Sequence, residues 1–346
     1  MKIVHIIYML NTGGIQTMLV DIVNEQSKTE DVSVIIVNNI IEESIIKSIS
    51  NSVKVYKINR KPGSRFPFKV IKLNLLLLKL NPDIIHCHNS TLINLLRFVF
   101  CRRIYLTVHD IGYSDSNFSK YKSLFAISES VQNDVLSKGN YKTKLVYNGI
   151  DTSLIKTKND YKKKEYFKLI QISRLEHNKK GQHILIQALE GLKHNDPNCF
   201  FILDIIGDGE SYEYLKNMVE TKGLSNNITF LGDKPRSFIY ENLKNYDLLV
   251  QPSLFEGFGL TITEAMSAIV PVLVSDIDGP MEIIKNGKYG EFFKSSDSID
   301  CSKKIQYIMN NYDVSIEKAI NAKEYCDTNF SIKQTAKRYI DFYNEN

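Results

Sequence analysis

Short runs of β-branched and other apolar residues alternate along the chain with longer segments in which apolar residues recur at helical spacing. This alternation is typical of parallel sheets, whose strands are buried on both faces and joined by helices. In the first half, the pattern predicts strands at 3–8, 33–37, 53–58, 84–86, 104–109, 124–127 and 144–147. It predicts helices at 15–27, 68–80, 91–100 and 129–137.

The alternation stops at residues 152–165, TSLIKTKNDYKKKE, which are polar and lack an apolar period, so we expect a linker there. It resumes with predicted strands at 167–173, 200–206, 228–231, 248–251 and 270–274, and with helices at 182–192, 211–222, 236–245 and 260–267. The tail, 298–343, reads as helical. We therefore predict two doubly wound α/β domains, 1–163 and 164–327, with a last helix at about 328–346 returning to the first.

Composition fits a two-domain enzyme of 346 residues, with 43% hydrophobic and 24% charged residues. The five cysteines are scattered and form no C-x-x-C pair, which favours a reducing cytoplasm. The apolar start, MKIVHIIYML, lacks a small-residue cleavage site and reads as a buried strand. No apolar run approaches the ~20 residues that a membrane-spanning helix needs. The net charge of +5 is too small to indicate nucleic-acid binding.

The most informative stretch is 251–268, QPSLFEGFGLTITEAMSA, where a buried strand ends in a glycine-bearing loop and a helix follows. Loops at the carboxyl ends of strands hold ligands in open α/β sheets. The backbone N–H groups of Gly257, Phe258, Gly259 and Leu260 would lie at a helix start, where an anion is favoured. Glu256 and Glu264 add two carboxylates that can accept from sugar or ribose hydroxyls.

A second loop, SRLEHNKKG at 173–181, follows the first strand of the same predicted domain. Arg174 supplies a planar guanidinium and Lys180 a compact ammonium, and the two together can hold a diphosphate. Such cations neutralise the charge that accumulates on a departing nucleoside diphosphate.

Together these residues resemble the signature of the family 4 retaining glycosyltransferases of the GT-B fold. Further pieces occur in the family's order: GG at 13–14, PDIIHCHN at 82–89, TVHD at 107–110, YNGID at 147–151, IGDGE at 206–210 and EAM at 264–266. The resemblance implies two Rossmann-like domains that face each other across a cleft.

The resemblance also assigns roles to individual residues. Arg174 and Lys180 would hold the donor diphosphate, Glu264 the ribose hydroxyls, and Glu256 with residues 257–260 the transferred sugar or its phosphate. Gly13 and Gly14 would let the backbone approach the phosphates. His109 would lie near the anomeric carbon and Asp110 on the acceptor side. We expect His88 to line the acceptor side of the cleft or to support its floor.

The implied reaction is a retaining transfer of a hexosyl or N-acetylhexosaminyl unit by front-face attack, in which the leaving phosphate helps to deprotonate the acceptor. No D-x-D motif with a metal-binding context is present, so we expect no metal and no cofactor, only a nucleotide sugar with UDP favoured over GDP. The implied acceptor is a lipid-linked oligosaccharide of a bacterial envelope polysaccharide such as O-antigen or capsule.

The H-C-H sequence at His86 and His88 resembles a metal-binding pair. Because neighbouring strand residues point to opposite faces, we expect these two side chains to lie on different faces. No third ligand is evident in the sequence, so we predict no metal site there. The glycine pair is not G-x-G-x-x-G and lacks an acidic ribose ligand at the expected distance, which argues against a dehydrogenase.

The positive charge is concentrated in the first half. Residues 1–160 carry 21 Lys and Arg against 13 Asp and Glu, and segment 54–79 contains eight cations and no acidic residue. It also carries Phe66 and Phe68 before a leucine-rich helix. Since each basic residue near an anionic membrane contributes about 1 kcal/mol, we expect this segment to dock the protein on the inner face of the plasma membrane. The alternative is a solvated basic loop.

Two other functions remain open from the sequence. A GT-B sugar-nucleotide epimerase or phosphorylase would need an acid/base constellation or a cofactor lysine that the sequence does not reveal. A non-catalytic carbohydrate-binding partner of an assembly complex would share the fold but show no transfer.

Overall fold

The computed structural model describes residues 1–11, 13–64, 66–97, 103–162 and 165–345. The chain divides into two compact units: unit 1 comprises Met1–Asp151 and Phe330–Asn346, and unit 2 comprises Thr152–Asn329. This division falls earlier in the chain than the boundary expected at 163/164.

Unit 1 contains a parallel sheet of seven strands in the order β3-β2-β1-β4-β5-β6-β7. The direction of this order reverses between β1 and β4, so the crevice at their carboxyl ends is the position where such sheets bind ligands. The strands are β1 (Lys2–Ile7), β2 (Asp31–Asn38), β3 (Lys54–Arg60), β4 (Ile84–Cys87), β5 (Ile104–Val108), β6 (Ser123–Ala126) and β7 (Thr143–Leu145).

The connections of unit 1 include four α-helices: α1 (Gly14–Gln26), α2 (Glu43–Lys47), α3 (Pro67–Leu80) and α4 (Glu129–Lys138). The helix predicted at 91–100 is instead a short 3₁₀ helix at Ser90–Leu95, and residues 98–100 lie outside the described residues. Asn74, a buried residue of α3, explains why this helix ends before residue 100. Its side chain donates to the Leu95 carbonyl and accepts from the Arg97 N–H at 2.8 and 2.7 Å, so these groups are not available to an α-helix.

Unit 2 contains a parallel sheet of six strands in the order β10-β9-β8-β11-β12-β13, which reverses between β8 and β11. The strands are β8 (Phe167–Ile172), β9 (Phe201–Ile206), β10 (Ile228–Gly232), β11 (Leu248–Gln251), β12 (Val272–Ser275) and β13 (Glu291–Phe293). The helices are α5 (His177–Lys180), α6 (Gln182–Asn195), α7 (Tyr212–Thr221), α8 (Arg236–Asn242), α9 (Leu260–Ser267), α10 (Asp278–Ile283), α11 (Ser298–Asn310) and α12 (Tyr312–Asn329).

The polar segment expected to be a linker is packed on unit 2. Lys158 is 3% exposed, and its Nζ lies 2.5 Å from Asp247 Oδ1. The Lys158 N–H donates to the Ala268 carbonyl, and the Tyr161 hydroxyl donates to the Ile269 carbonyl. A polar sequence without an apolar period is therefore held in unit 2 by an ion pair and by hydrogen bonds to the backbone. Such interactions cannot be predicted from the hydropathy of the segment.

The final helix, α13 (Ile332–Asn344), belongs to unit 1, as the sequence predicts. Tyr339 and Tyr343 are fully buried, and their rings contact His86 and Phe125. A backbone bridge between Ile150 and Ser331 fixes the start of this segment. Across the described ranges, no helix is both long and apolar enough to cross a bilayer.

Candidate functional site

The predicted donor-binding residues of unit 2 cluster at the carboxyl ends of β8 and β11, the adjacent strands between which the order reverses. Arg174 and Lys180 lie in the segment after β8, and Glu256 lies in the loop after β11. The sheet topology therefore brings together two segments that are far apart in sequence, at the place where open α/β sheets hold their ligands.

Backbone contacts lock these two segments together. The N–H groups of Leu254 and Phe255 donate to the Lys179 carbonyl at 2.9 and 3.2 Å. Gly181 follows directly with φ +68°, and a Cβ there would lie 1.8 Å from the Pro252 carbonyl oxygen. Only glycine fits this left-handed position, because any side chain would collide with the backbone of the second segment.

Lys180 and Glu256 form a direct ion pair. The Lys180 Nζ lies 2.6 Å from Glu256 Oε2, and each side chain is 17% exposed. Arg174 is exposed, and no hydrogen bond or ion pair involves its guanidinium among the residues that the structure describes. Its backbone is fixed, because the buried Gln182 amide donates to the Arg174 carbonyl and to Ser173 Oγ at 2.8 and 2.9 Å.

Glu264 lies inside α9 and is 6% exposed. Its Oε1 is 3.8 Å from Arg236 Nε at the start of α8, so the carboxylate has a cationic neighbour. Arg236 was not among the predicted site residues. Its position just after the carboxyl end of β10, in the run Lys234-Pro235-Arg236, was the signal that could have found it.

The glycine-bearing loop is shaped by close packing. Gly259 adopts φ 112° at the N-cap of α9, and because it has no side chain, none caps the first turn of the helix. Phe258 is buried and anchors the loop. A Cβ on Gly279 would lie 2.4 Å from the Glu256 carbonyl oxygen, so the start of α10 packs directly against the backbone of Glu256. The backbone N–H groups at the start of α9, beginning with that of Leu260, have no side-chain cap and can bind an anion.

In unit 1, Gly13 and Gly14 follow β1 and begin α1, at the position where the strand order reverses. Gly13 has φ 168°, extended backbone that any residue adopts. A Cβ there would meet only the mobile end of Gln16, with Oε1 at 2.6 Å. Little within unit 1 therefore requires glycine at position 13.

The prediction that His86 and His88 lie on different faces of the strand is wrong. Residues i and i+2 of a strand share a face, and the two rings stack with centroids 4.7 Å apart. His5 of β1, in register with His86, adds a third ring to the cluster, and His109 after β5 a fourth. His5 was not among the predicted site residues, although the sequence places it in β1, the strand beside β4.

The ligand atoms of His5, His86 and His88 lie within 4.8 Å of one another, close enough to hold a metal ion. Each ring nitrogen already has a partner, however. His5 bonds to Gln26 and His88, His86 to Tyr343 and Thr107, and His88 to His5 and His109. A metal would have to replace hydrogen bonds among these described residues.

Burial keeps the four histidines neutral at physiological pH. It lowers the pKa of His5 and of His109 to about 4, although Asp110 acts in the opposite direction on His109. It lowers the pKa of His86 and of His88 well below the ordinary value. His88 is 1% exposed and therefore supports His109 from within the core.

Asp110 lies directly after His109, at the carboxyl end of β5. It is partly buried, and its Oδ1 accepts from the Ile111 N–H at 3.0 Å. One carboxylate oxygen is therefore engaged in shaping the chain after β5.

The basic segment 54–79 is partly neutralised by other elements. Lys54 pairs with Asp31 and Lys57 with Glu43, at 2.9 and 3.0 Å. Arg60 donates to the Ser64 carbonyl, and Arg65 lies outside the described residues. Lys61, Lys72 and Lys79 are exposed.

The same segment exposes an apolar stripe, which we call the α3 stripe: Phe66, Phe68, Ile71, Leu75 and Leu78. Phe66 and Phe68 are 72% and 75% exposed. Residues 71, 75 and 78 lie on one helix face, whereas Leu73 and Leu77 point into unit 1. Lys72 and Lys79 flank the stripe, so α3 presents an amphipathic surface.

Two protein families match the chain. Residues 155–326 match "Glycosyl transferases group 1", and residues 12–154 match "Glycosyltransferase Family 4". An uncharacterized glycosyltransferase of Methanocaldococcus jannaschii is 28% identical over 301 residues, which cover 75% of each chain. A poly(ribitol-phosphate) alpha-N-acetylglucosaminyltransferase of Staphylococcus aureus is 25% identical over 234 residues, 67% of this chain and 46% of the relative.

Solved structures resemble the whole chain. Anabaena HepE in complex with UDP-glucose has a TM-score of 0.83 at 22% identity and covers 100% of both chains. Staphylococcus aureus TarM, in a complex that includes UDP and alpha-GlcNAc-glycerol, has a TM-score of 0.81 at 15% identity and covers 99% of this chain and all of TarM. At these identities the likeness is one of fold.

Proposed function

The chain belongs to the group 1 and family 4 glycosyltransferases and has the predicted GT-B fold, and on this premise we propose a specific reaction. The protein transfers a hexosyl or N-acetylhexosaminyl unit from a nucleoside diphosphate sugar, with UDP favoured over GDP, to a lipid-linked glycan of the cell envelope. One observation supports this above all: Lys180 meets Glu256 at 2.6 Å beside the uncapped start of α9, at the reversal point of the unit 2 sheet.

In this proposal, Lys180 and Arg174 bind the diphosphate and stabilise the charge that builds up as the glycosidic bond breaks. Glu264 accepts hydrogen bonds from the ribose hydroxyls, and Arg236 orients that carboxylate at 3.8 Å. When phosphate takes Lys180, the Glu256 carboxylate becomes available to hydroxyls of the sugar. The α9 N-terminus adds backbone donors for an anionic oxygen.

The proposed outcome is retention of the anomeric configuration without a metal ion. The leaving diphosphate accepts the proton of the attacking hydroxyl on the same face, so no carboxylate nucleophile is needed. Determining the product anomer, with and without EDTA, tests both points.

Two substitutions test the assignment of the donor site. Lys180→Ala removes a phosphate ligand and Glu264→Gln removes a charged acceptor for ribose. We expect each to lower kcat/KM for nucleotide release from a UDP sugar by about 10²–10³-fold, the effect of losing one preorganised polar contact to a transition state. Exposed Lys216→Ala is the matched control and should keep full activity.

A thermal-shift screen of UDP, GDP and their sugar conjugates identifies the donor, since a ligand at 100 times its Kd stabilises the protein by about 2.7 kcal/mol. Full activity in both variants would sink the assignment. Binding of a sugar nucleotide without any turnover would indicate a non-catalytic carbohydrate-binding partner instead.

We further propose that the α3 stripe docks unit 1 on an anionic bilayer at the cytoplasmic face, where a lipid-linked acceptor is presented. Exposed Phe66 and Phe68 can enter the interface while Lys61, Lys72 and Lys79 stay with the headgroups. Charge complementarity supports an anionic surface as the occupant, because each basic residue near an anionic membrane contributes about 1 kcal/mol of attraction. Binding to anionic vesicles, with the stripe replaced by serine, tests this docking.

A further inference from the structure

A continuous line of hydrogen bonds crosses the interior of unit 1 from α1 to the end of β5. Gln26 Oε1 lies 2.8 Å from His5 Nε2, and His5 Nδ1 lies 3.0 Å from His88 Nε2. His88 Nδ1 in turn lies 3.2 Å from His109 Nε2. Gln26 and His5 are fully buried, His88 is 1% exposed and His109 is 9% exposed, so the line runs from the core towards the surface.

The chemistry of imidazole allows this line only two directions. A neutral histidine carries one N–H donor and one bare nitrogen acceptor. When the first ring of the line donates at one nitrogen, it must accept at the other, and this constraint passes to the next ring. The group at the buried end of the line therefore decides which nitrogen of His109 carries the proton.

Gln26 sets the direction. Its amide oxygen can only accept, so His5 must be protonated at Nε2 and bare at Nδ1. His88 then donates from Nε2, and its bare Nδ1 accepts from His109 Nε2. The amide nitrogen, Gln26 Nε2, is buried without a hydrogen-bond partner among the described residues, so Oε1 alone joins the line.

We propose that Gln26, His5 and His88 form a positioning relay that fixes the tautomer of His109, leaving its Nδ1 as a bare acceptor for a substrate hydroxyl. Nδ1 makes no hydrogen bond to any residue in the described part of the chain. The relay concerns unit 1 alone, whereas the identity of the hydroxyl as part of a sugar rests on the proposed function. His88 and His5 act through His109 and are positioning residues.

His86 provides a matched comparison. It is as buried as His88, stacks on it at 4.7 Å and lies two residues away on the same strand. Its nitrogens bond to Tyr343 and Thr107 at 2.5 and 2.7 Å, outside the relay. A loss of core packing would affect His86→Phe and His88→Phe alike, but only His88→Phe cuts the relay.

Scalar couplings between nitrogens across N–H···N hydrogen bonds, measured on protein labelled with ¹⁵N-histidine, test the relay directly. In the wild type we expect a coupling between His88 Nδ1 and His109 Nε2, with the proton on His109. His88→Phe should abolish it and speed the solvent exchange of the His109 Nε2 proton, whereas His86→Phe should preserve both. A proton on His88 Nδ1, or an unchanged His109 signal in His88→Phe, would overturn the relay.

If His88→Phe does not fold, Gln26→Leu takes its place, because it removes the terminal acceptor two rings away from His109. We then expect His109 to populate both tautomers, and a single Nε2-protonated form would contradict the proposal. Transfer assays form a separate arm: His88→Phe should lower kcat by about tenfold relative to His86→Phe, the effect of losing one positioning hydrogen bond. Equal kcat values with an intact relay in the spectra would refute the substrate contact at Nδ1 and leave the donor-site assignment standing.

Discussion

At the scale of single residues, Gly181 shows how two distant segments constrain one atom. Gly181 and Gly223 share a left-handed backbone, with φ +68° and +65°, but a Cβ at Gly223 would meet nothing within 4 Å. We expect Gly223→Ala to cost about 1 kcal/mol, the ordinary penalty of that conformation. Gly181→Ala also pushes the backbone of Pro252 away and should cost more than about 3 kcal/mol.

Denaturant unfolding of the two glycine variants measures this difference. Equal midpoints would show that the segments after β8 and β11 are not locked together. Donor binding can also be measured in Gly181→Ala at a denaturant concentration where the variant is still folded. A loss of binding there would show that the locked backbone orients Lys180.

The sequence predicted some residue contacts and not others, for reasons of geometry. Lys180 and Glu256 could be placed together because the carboxyl ends of parallel strands meet at one edge. The ion pair of Glu264 with Arg236 could not, since it depends on how α8 and α9 pack. The error at His86 and His88 was one of strand geometry: the side chains alternate at every residue, so positions two apart coincide on one face.

At the scale of elements, the four histidines held by β1, β4 and β5 make unit 1 sensitive to acid. Each is neutral in the fold and has an unfolded pKa near 6.5. Below about pH 6.5 the unfolded chain binds more protons than the folded chain does. The free energy of unfolding therefore has its full value only above about pH 6.5. It falls as the pH drops towards about 4, the lowered pKa of His5 and His109. The slope reaches about 1.4 kcal/mol per pH unit per histidine.

Denaturant unfolding between pH 7.5 and 5.5 measures this slope. His86→Phe removes one titrating group, which faces Tyr343, Thr107 and the rings of His5 and His88, and should reduce the slope by the share of one histidine. His194→Asn, at an exposed position of unit 2, should leave it unchanged. An identical slope in the wild type and His86→Phe would contradict the burial argument.

Strands were predicted correctly where an apolar run was buried on both faces and bounded by loops. The strands at 167–173 and 248–251 were apolar runs flanked by loops, and the structure has strands at Phe167–Ile172 and Leu248–Gln251. The short elements α2 and β13 were missed because five and three residues show no measurable period. The 91–100 segment failed because Asn74, a residue of another helix, bonds to its backbone.

At the scale of the whole molecule, membrane docking depends on charges and apolar residues acting together. Replacing exposed Lys61, Lys72 and Lys79 by Gln removes about 3 kcal/mol of attraction, or about 100-fold in partitioning to anionic vesicles. Phe66→Ser with Phe68→Ser should weaken binding as well. Vesicle sedimentation at several salt concentrations gives the measurement.

Leu136→Ser with Ile299→Ser replaces exposed apolar residues elsewhere, at 47% and 68% exposure, and serves as the control. If the lysine variant binds anionic vesicles as well as the wild type does, the segment is a solvated surface. Equal binding to neutral vesicles would mean that the charges do not contribute.

The division of the chain into units follows from contacts that polarity hides. Residues 152–162 look like a linker from composition, yet the buried Lys158 to Asp247 pair ties them to unit 2. Conversely, the count of eight cations in 54–79 overstated the free charge, since Asp31 and Glu43 neutralise two of them from other elements.

The return of α13 to unit 1 also fixes an order of assembly on the ribosome. Every residue of unit 2 is synthesised before Tyr339 and Tyr343, which complete the core of unit 1 against His86 and Phe125. Unit 2 therefore has its whole sequence available first, although it comes second in the chain. The synthesis of unit 1 begins first, but its core is completed last. Until α13 is synthesised, the aromatic face of its sheet stays uncovered.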